Sequence, residues 1–229
     1  MTIWGFIGSG NIGATVARLA VAAGHDVVLS NSRGPETLAG LIDDLGPHAR
    51  AATPAAVAQA GDLVVVTIPL RNYLQVPTEE LRGKIVIDTM NYYPQRDGDV
   101  AELDDETTTS SELLQAHLPD SKVVKGFNNI HFRHLATLPR ATGAPDRSAL
   151  AIAGDDHEAK KVVSEHLNQI GFDTVDLGPL SEGWRTQPDT AAYGLMYAVD
   201  PQAWDQGARP ASAVEVAERA AASRRHNQE

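Results

Sequence analysis

The sequence contains no cysteine among its 229 residues. This absence excludes disulfide bonds, thiolate metal sites, iron–sulfur clusters and cysteine nucleophiles. It is also typical of a reducing compartment, and we expect a cytoplasmic protein. No run approaches the ~18 consecutive apolar residues of a membrane-spanning helix, so we expect no membrane partner.

Basic residues are few. The chain has 19 lysines and arginines against 30 aspartates and glutamates, which gives a formal net charge of −11. A domain that binds nucleic acid normally presents a basic face, so we expect no nucleic-acid partner. Hydrophobic residues make up 42% of the chain, beside 19 glycines and 13 prolines. This composition indicates a folded globular protein rather than a disordered or fibrous one.

Short apolar runs alternate along the chain with helical periods that end at glycine. The run Ile3–Ile7 precedes a helical period that begins at Asn11, and a later run at Leu63–Val66 follows another such period. This alternation predicts parallel strands joined by helices. We therefore expect an α/β protein with a Rossmann-type, doubly wound and mostly parallel sheet. This Rossmann-type domain would cover residues 1–145, and a small C-terminal α/β extension and tail would cover residues 146–229.

The predicted C-terminal extension has signals of its own. A strand is expected at residues 149–153 and a helix from Asp156, whose carboxylate would cap the helix N terminus. Weaker periods follow. They predict one more helix over residues 190–198 and a helical or frayed segment over residues 211–225.

A glycine-rich pattern of the form G-x-G-x-x-G lies between the first predicted strand and the first predicted helix. It consists of Gly8, Ser9, Gly10, Asn11, Ile12 and Gly13. In this context the pattern predicts a loop that binds a dinucleotide. Gly8 would allow the tight turn, Gly10 the approach of the pyrophosphate, and Gly13 the close packing of helix on strand. The N–H groups of Asn11 and Ile12 would face the phosphates.

The end of the second predicted strand indicates which dinucleotide binds. NAD-binding proteins usually place a carboxylate there, about 20 residues after the glycine loop, whereas this chain has Ser30, Asn31, Ser32 and Arg33. The Arg33 guanidinium matches the oxygens of a 2′-phosphate, and the hydroxyls of Ser30 and Ser32 could donate further hydrogen bonds. The sequence therefore predicts NADP(H) as the cofactor.

Two further strand ends provide candidates for the rest of the cofactor site. Thr67, Ile68 and Pro69 follow the Leu63–Val66 strand directly, at the edge where open α/β sheets bind ligands. They would lie beneath the ribose and nicotinamide. Asn91 follows the next strand and would either bond the cofactor or complete a turn.

The segment after a later strand carries Asn128, Asn129 and His131. Two amides and an imidazole suit a carbonyl-bearing ring or a carboxamide, so these three residues are candidates for the substrate site. Asparagines that form a turn are an equally good interpretation. His131 and His134 have the i, i+3 spacing of one helical face, but no third ligand accompanies them, and we expect no metal site.

Together, the motifs GSGNIG, SNSRG, TIP, KVVKGFNNI and AGDDHEAKKVV resemble the F420-dependent NADP oxidoreductase family over roughly residues 3–180. The resemblance implies hydride transfer between NADPH and the deazaflavin of coenzyme F420, which would be the co-substrate. It also implies a Rossmann domain with a small C-terminal domain, and a homodimer. It assigns the phosphate loop to residues 8–13, the 2′-phosphate pocket to Ser32 and Arg33, and the nicotinamide side to residues 67–69.

The reaction implied by this resemblance does not require an acidic or basic side chain. Hydride transfer between stacked rings needs proximity, orientation and the exclusion of water, so we expect no catalytic side chain. The anionic tail of F420 would need a basic patch, for which Arg71, Lys125 and Arg133 are candidates.

Two other functions remain open. The acceptor could be another small molecule, such as a flavin, an imine or a carbonyl compound. An imine or carbonyl reductase would need a proton donor near the nicotinamide, and Tyr92, Tyr93 and His131 are candidates. Alternatively, a non-enzymatic NADP(H) sensor would use the tail after Pro201 to report the bound redox state to a partner.

Overall fold

The computed structural model describes residues 1–225 of the chain. Eight strands form one sheet in the order β3-β2-β1-β4-β5-β6-β7-β8. The strands are β1 (Ile3–Ile7), β2 (Asp26–Ser30), β3 (Ala49–Ala51), β4 (Leu63–Val66), β5 (Ile85–Asp88), β6 (Lys122–Lys125), β7 (Ala149–Gly154) and β8 (Asp173–Asp176). Among residues 1–225, no helix is both long enough and apolar enough to cross a membrane.

Helices connect the strands and cover the sheet. The α-helices of the described chain are α1 (Asn11–Ala22), α2 (Ala39–Leu45), α3 (Pro54–Ala60), α4 (Pro94–Asp97), α5 (Ala101–Asp104), α6 (Ser110–His117), α7 (Phe132–Thr137), α8 (His157–Gln169) and α9 (Ala213–Ala222). Short 3₁₀ helices lie at Pro35–Leu38, Leu70–Gln75, Leu180–Thr186, Leu195–Tyr197 and Pro201–Ala203.

The first six strands are parallel, and the sheet order reverses direction between β1 and β4. Such a reversal is where open α/β sheets bind ligands, outside the carboxyl ends of the strands. β7 runs antiparallel to β6, with Lys125 opposite Ala153, and β8 is parallel to β7. The structure thus confirms the predicted α/β class and its doubly wound, mostly parallel sheet.

Alternate residues of the central strands pack on opposite faces of the sheet, as the period of two requires. Trp4 and Phe6 of β1 belong to the core on one face, and Val64 and Val66 of β4 belong to the core on the other. These four side chains are completely buried. Because the sheet is covered on both faces, its carboxyl edge is left as the place for a ligand.

Side-chain caps define where two of the helices begin. The Asp156 carboxylate accepts a hydrogen bond from the Ala159 N–H (2.8 Å) and caps α8, as predicted. At α6, Thr109 Oγ1 accepts from the Glu112 N–H (3.2 Å), and the Glu112 carboxylate accepts from the Thr109 N–H (2.8 Å). This reciprocal pair is a capping box, which satisfies two backbone donors that the helix itself leaves unpaired.

The structure corrects one expectation for the C-terminal part. Residues 190–198 do not form the predicted α-helix, because Gly194 adopts φ +75°, a left-handed conformation that interrupts the helical backbone. A 3₁₀ turn at Leu195–Tyr197 is all the helix that forms there. Within residues 211–225, α9 forms as expected and is capped by Ser212. Residues 226–229 of the predicted tail lie outside the described residues.

Candidate cofactor and acceptor site

The carboxyl ends of β1, β4, β5 and β6 open into a cavity of about 400 Å³. We call it the ring cavity. It brings together predicted site residues from four separate strand ends: Gly10, Asn11, Ile12, Thr67, Ile68, Pro69, Asn91, Asn128, Asn129 and His131. The remaining predicted residues lie next to the cavity lining in the chain: Gly8 and Ser9 in the loop after β1, Gly13 in the first turn of α1, and Asn31, Ser32 and Arg33 in the loop after β2.

The three glycines of the first loop have different surroundings. A Cβ on Gly8 would lie 2.2 Å from the Thr67 carbonyl oxygen, and φ is +106° at this residue. A Cβ on Gly13 would lie 2.5 Å from the Gly8 carbonyl oxygen. A Cβ on Gly10, in contrast, would meet no atom within 4 Å. Gly8 and Gly13 therefore allow the loop to pack against the chain, whereas Gly10 faces open space.

The N terminus of α1 is available for an anion. Gly10 is its N-cap residue and supplies no side-chain cap, and the first turn contains no acidic residue. The first N–H groups of a helix have no partner within the helix, and together with the helix dipole they favour negative charge. With the open space at Gly10, this arrangement fits the pyrophosphate of a dinucleotide.

The loop after β2 presents two exposed residues, Ser32 and Arg33. Asn31 shapes it: its Oδ1 accepts from the Arg33 N–H (2.9 Å), and its Nδ2 donates to Thr37 Oγ1 (2.8 Å). Ser30 does not take part, so its predicted contact with a phosphate is wrong. Its side chain is fully buried, and its hydroxyl donates to the Phe6 carbonyl (3.1 Å).

Two of the predicted asparagines brace the wall of the ring cavity. Asn91 Nδ2 donates to the Asn128 carbonyl (2.7 Å), and Asn128 Nδ2 donates to Asn91 Oδ1 (3.1 Å). Asn128 Nδ2 also lies within hydrogen-bond distance of the Thr186 carbonyl (2.8 Å). The two amides therefore join the loops after β5 and β6 to the C-terminal segment.

Asn129 and His131 each keep an unpaired polar atom at the cavity. Asn129 Nδ2 donates to the Ala192 carbonyl (2.9 Å), but its buried Oδ1 has no partner in the described chain. His131 Nδ1 is also buried without a partner among these residues. The His131 ring lies 4.8 Å from the Trp204 ring, centroid to centroid. Burial lowers the pKa of His131, so its imidazole is neutral at neutral pH.

The basic patch that was expected for an anionic acceptor does not form as predicted. Lys125 is buried and forms an ion pair with Asp88 (3.1 Å). Arg133 pairs with Asp205 (3.4 Å), and Arg71 donates to the carbonyl of Arg96 (2.7 Å). In residues 1–225, no cluster of three or more His, Asp or Glu side chains is arranged to hold a metal ion.

Several residues of the ring cavity were not predicted as site residues. They are Thr89, Met90, Arg96, Phe127, Ile130, Phe132, Tyr193, Gly194 and Trp204. Tyr193 and Gly194 lie in the segment where the sequence wrongly predicts an α-helix, and Trp204 directly follows a short 3₁₀ helix, so no strand or helix signal placed these residues correctly. Tyr93, considered only as a proton donor, also lines this cavity, whereas Tyr92 does not.

Comparison with known proteins agrees with the cofactor site. Residues 3–92, which contain the glycine loop, the loop after β2 and Thr67–Pro69 in chain order, match the family described as "NADP oxidoreductase coenzyme F420-dependent".

Individual relatives fall into two groups. The chain is 33% identical over 142 residues to the F420-dependent NADP reductase of Methanocaldococcus jannaschii, which covers 55% of this chain and 57% of that protein. It is 29% identical over 179 residues to metalloreductase STEAP3 of Rattus norvegicus, which covers 77% of this chain and 34% of that protein. The chain thus spans just over half of the first curated protein and a third of the second.

A solved structure adds similarity over most of the chain. A candidate F420-dependent NADP reductase of Arthrobacter sp. FB24 superposes with a TM-score of 0.66 at 28% sequence identity, over 78% of this chain and 85% of that one. This superposition extends over most of both chains. Residues 3–92 are thus similar to the family of F420-dependent NADP oxidoreductases.

Proposed function

We propose that the protein is an NADP(H)-dependent oxidoreductase that passes a hydride between the nicotinamide and an acceptor in the ring cavity. The favoured acceptor is the deazaflavin of coenzyme F420. The observation that carries the proposal is that one cavity is lined both by the N terminus of α1 at Gly10 and by aromatic side chains such as Tyr193 and Trp204. A candidate phosphate site and a candidate site for flat rings are therefore parts of the same cavity.

The chain's own groups would hold the cofactor from both ends. The first N–H groups of α1 would bind the pyrophosphate, and the exposed Ser32 and Arg33 would bind the 2′-phosphate, which favours NADP(H) over NAD(H). Thr67–Pro69 would support the ribose and nicotinamide at the carboxyl end of β4. NADPH, when bound, supplies the hydride.

The acceptor would lie against the aromatic wall of the cavity. Its volume of about 400 Å³ lies in the range of about 300–1,000 Å³ that is usual for small-molecule sites. Met90, Phe127 and Phe132 make this space largely apolar, which excludes water from the transferred hydride. The family match supports F420 as the acceptor. The family resemblance suggests a homodimer, which sedimentation of the purified protein would test, and the absence of cysteine favours a cytoplasmic protein.

One observation favours a second candidate, the reduction of an imine or a carbonyl compound. Such a reaction needs a proton donor beside the acceptor, and the hydroxyls of Tyr93 and Tyr193 meet at the cavity wall. Flavin reduction and a non-enzymatic sensor remain alternatives without an observation of their own.

A stopped-flow experiment tests the proposal. The purified protein is mixed with NADPH and oxidised F420 while the deazaflavin absorbance is followed, with NADH in place of NADPH and with a free flavin in place of F420 as controls. We expect rapid loss of the absorbance with NADPH and little change with NADH. Tight NADPH binding without reduction of F420 would remove this acceptor and leave imines, carbonyls and flavins to be assayed. Equal rates with NADH would contradict the role of the loop after β2.

A further inference from the structure

Two tyrosine hydroxyls form a hydrogen bond with each other on the wall of the ring cavity. Tyr93 follows β5 and precedes α4, and Tyr193 belongs to the irregular C-terminal segment, 100 residues later in the chain. Both line the ring cavity. Tyr93 also lines a second cavity of about 330 Å³, which Tyr193 does not. The pair therefore connects the acceptor site to a separate cavity.

Neighbouring groups hold Tyr93 in place. Its N–H donates to Asp97 Oδ2 (3.0 Å), and the Arg96 guanidinium lies 4.7 Å from the centroid of its ring. Arg96 and Asp97 form an ion pair (2.8 Å), and Arg96 also donates to the Asn91 carbonyl (2.8 Å). Because the ring and the backbone of Tyr93 are both fixed, its hydroxyl has a defined direction toward Tyr193.

Three other groups at or near the ring cavity are not expected to supply the proton. The Arg96 guanidinium is held in its ion pair with Asp97. His131 is neutral at neutral pH, because burial lowers its pKa. Tyr92 is outside this cavity, and its hydroxyl donates to Asp104 (2.8 Å). Burial and the hydrogen bond between the two hydroxyls raise the pKa of Tyr193, so its phenol carries its proton at neutral pH.

We propose that Tyr193 donates the proton that accompanies the hydride and that Tyr93 returns a proton to Tyr193. This assignment rests on the proposed function. It names the acceptor class as a molecule that takes a hydride on carbon and a proton on a nitrogen or oxygen conjugated with that carbon. Imines, carbonyl compounds and deazaflavins share this chemistry.

The proposed step balances in atoms and charge. The acceptor carbon forms a C–H bond with the hydride and its two electrons, and the conjugated nitrogen or oxygen takes the Tyr193 proton. The tyrosinate that remains takes the Tyr93 hydroxyl proton, and Tyr93 is reprotonated by water in the second cavity. The cofactor leaves oxidised, so no other oxidant or reductant is required.

The test uses three matched phenylalanine variants of the full chain: Tyr193→Phe, Tyr93→Phe and, as the control, Tyr92→Phe. Tyr92 lies beside Tyr93 in the chain but does not line the ring cavity. Each variant is mixed with NADPH and one of two probes, oxidised F420 or the cyclic imine 1-pyrroline. The first turnover and the steady state are measured in H₂O and D₂O across a range of pH. NADPH binding is measured separately by fluorescence.

We expect Tyr193→Phe to slow the first turnover by at least about tenfold, since general acids contribute about 10²–10⁴-fold, and to abolish the solvent isotope effect. Tyr93→Phe should slow the steady state more than the first turnover, because the first proton is already on Tyr193. Both variants should bind NADPH as the wild type does, and Tyr92→Phe should match the wild type throughout.

Two results would overturn the assignment in different ways. If the wild type reduces a probe and Tyr193→Phe is as fast as Tyr92→Phe with the same isotope effect, the proton comes from elsewhere, although the proposed function stands. If the wild type binds NADPH but reduces neither probe, the proposed function fails and the assignment fails with it.

Discussion

Lys125 of β6 and Asp88 of β5 occupy opposite positions on neighbouring strands, with Nζ 3.1 Å from Oδ2 and both side chains almost completely buried. Asp88 Oδ1 accepts from the Met90 N–H (2.8 Å), and Lys125 Nζ donates to the Met90 carbonyl. Ser111 Oγ donates to Asp88 Oδ2 (2.6 Å). The ion pair therefore holds Met90, a residue of the cavity wall, from both of its backbone groups.

Removal of one charge from this pair should be much more damaging than removal of both. Asp88→Asn leaves the Lys125 ammonium buried without its counter-charge, which costs about 3–5 kcal/mol of unfolding free energy. The double variant Asp88→Asn with Lys125→Met should recover part of that loss, because no buried charge remains. Urea unfolding of the wild type, both single variants and the double variant measures the coupling. Strictly additive losses would mean that the two charges do not stabilise each other.

This pair also illustrates what the sequence could not predict. The lysine ends a short apolar strand and looks like a surface residue, and its partner lies 37 positions earlier in the chain. Their meeting depends on the register of β5 against β6, which no local pattern encodes. The predicted strand at Leu63–Val66, in contrast, forms with those same bounds, because its signal, a run of apolar residues, is local.

The residues of the candidate site also differ in whether the local sequence could place them. The glycine loop and Thr67–Pro69 could be placed from sequence, because each directly follows a strand whose position in a parallel sheet fixes the loop. Tyr193 and Trp204 could not, since they reach the cavity from an irregular segment whose path is set by contacts such as that of Asn129 with Ala192.

Substitutions at two glycines of the loop should affect protein stability and NADPH binding differently. Gly10→Ala adds a Cβ into open space, so the free energy of unfolding should change little, while the methyl group would occupy space needed by the pyrophosphate. Gly13→Ala would place its Cβ 2.5 Å from the Gly8 carbonyl oxygen and should lower the melting temperature clearly. Calorimetry and NADPH titration of both variants measure the two effects. Undiminished NADPH affinity in Gly10→Ala would contradict the proposed position of the phosphates.

Arg33 should decide between the two nicotinamide cofactors. Loss of a charge-assisted hydrogen bond costs about 1.5–3 kcal/mol, so Arg33→Ala should weaken NADPH binding by about 10- to 150-fold while NADH binding barely changes. Arg82→Ala is the control, because Arg82 is exposed, precedes β5 at the opposite edge of the sheet, and pairs with Glu79 (3.1 Å). Fluorescence titration of the wild type and both variants with NADPH and with NADH gives the six dissociation constants. An equal effect of Arg33→Ala on both cofactors would exclude a 2′-phosphate contact.

His134 should make the fold sensitive to acid. Its side chain is 1% exposed, and neither ring nitrogen has a partner within the described residues. Burial lowers its pKa, and the neighbouring His131 contributes in the same direction. The folded protein thus keeps His134 neutral at a pH where the unfolded chain, with a histidine pKa of about 6.5, already binds a proton.

Because the unfolded state then binds more protons, stability falls as the pH drops below about 6.5, with a slope of up to about 1.4 kcal/mol per pH unit for one histidine. His134→Leu removes this titrating group and should make the free energy of unfolding less dependent on pH. A residual slope should remain, because the pKa values of His25 and His131 are also lowered. Urea unfolding at a series of pH values measures the slope. His157→Gln is the control for loss of an exposed imidazole on α8. If His134→Leu kept the full wild-type slope, His134 would have to be protonated in the folded state or another group would have to account for the acid sensitivity.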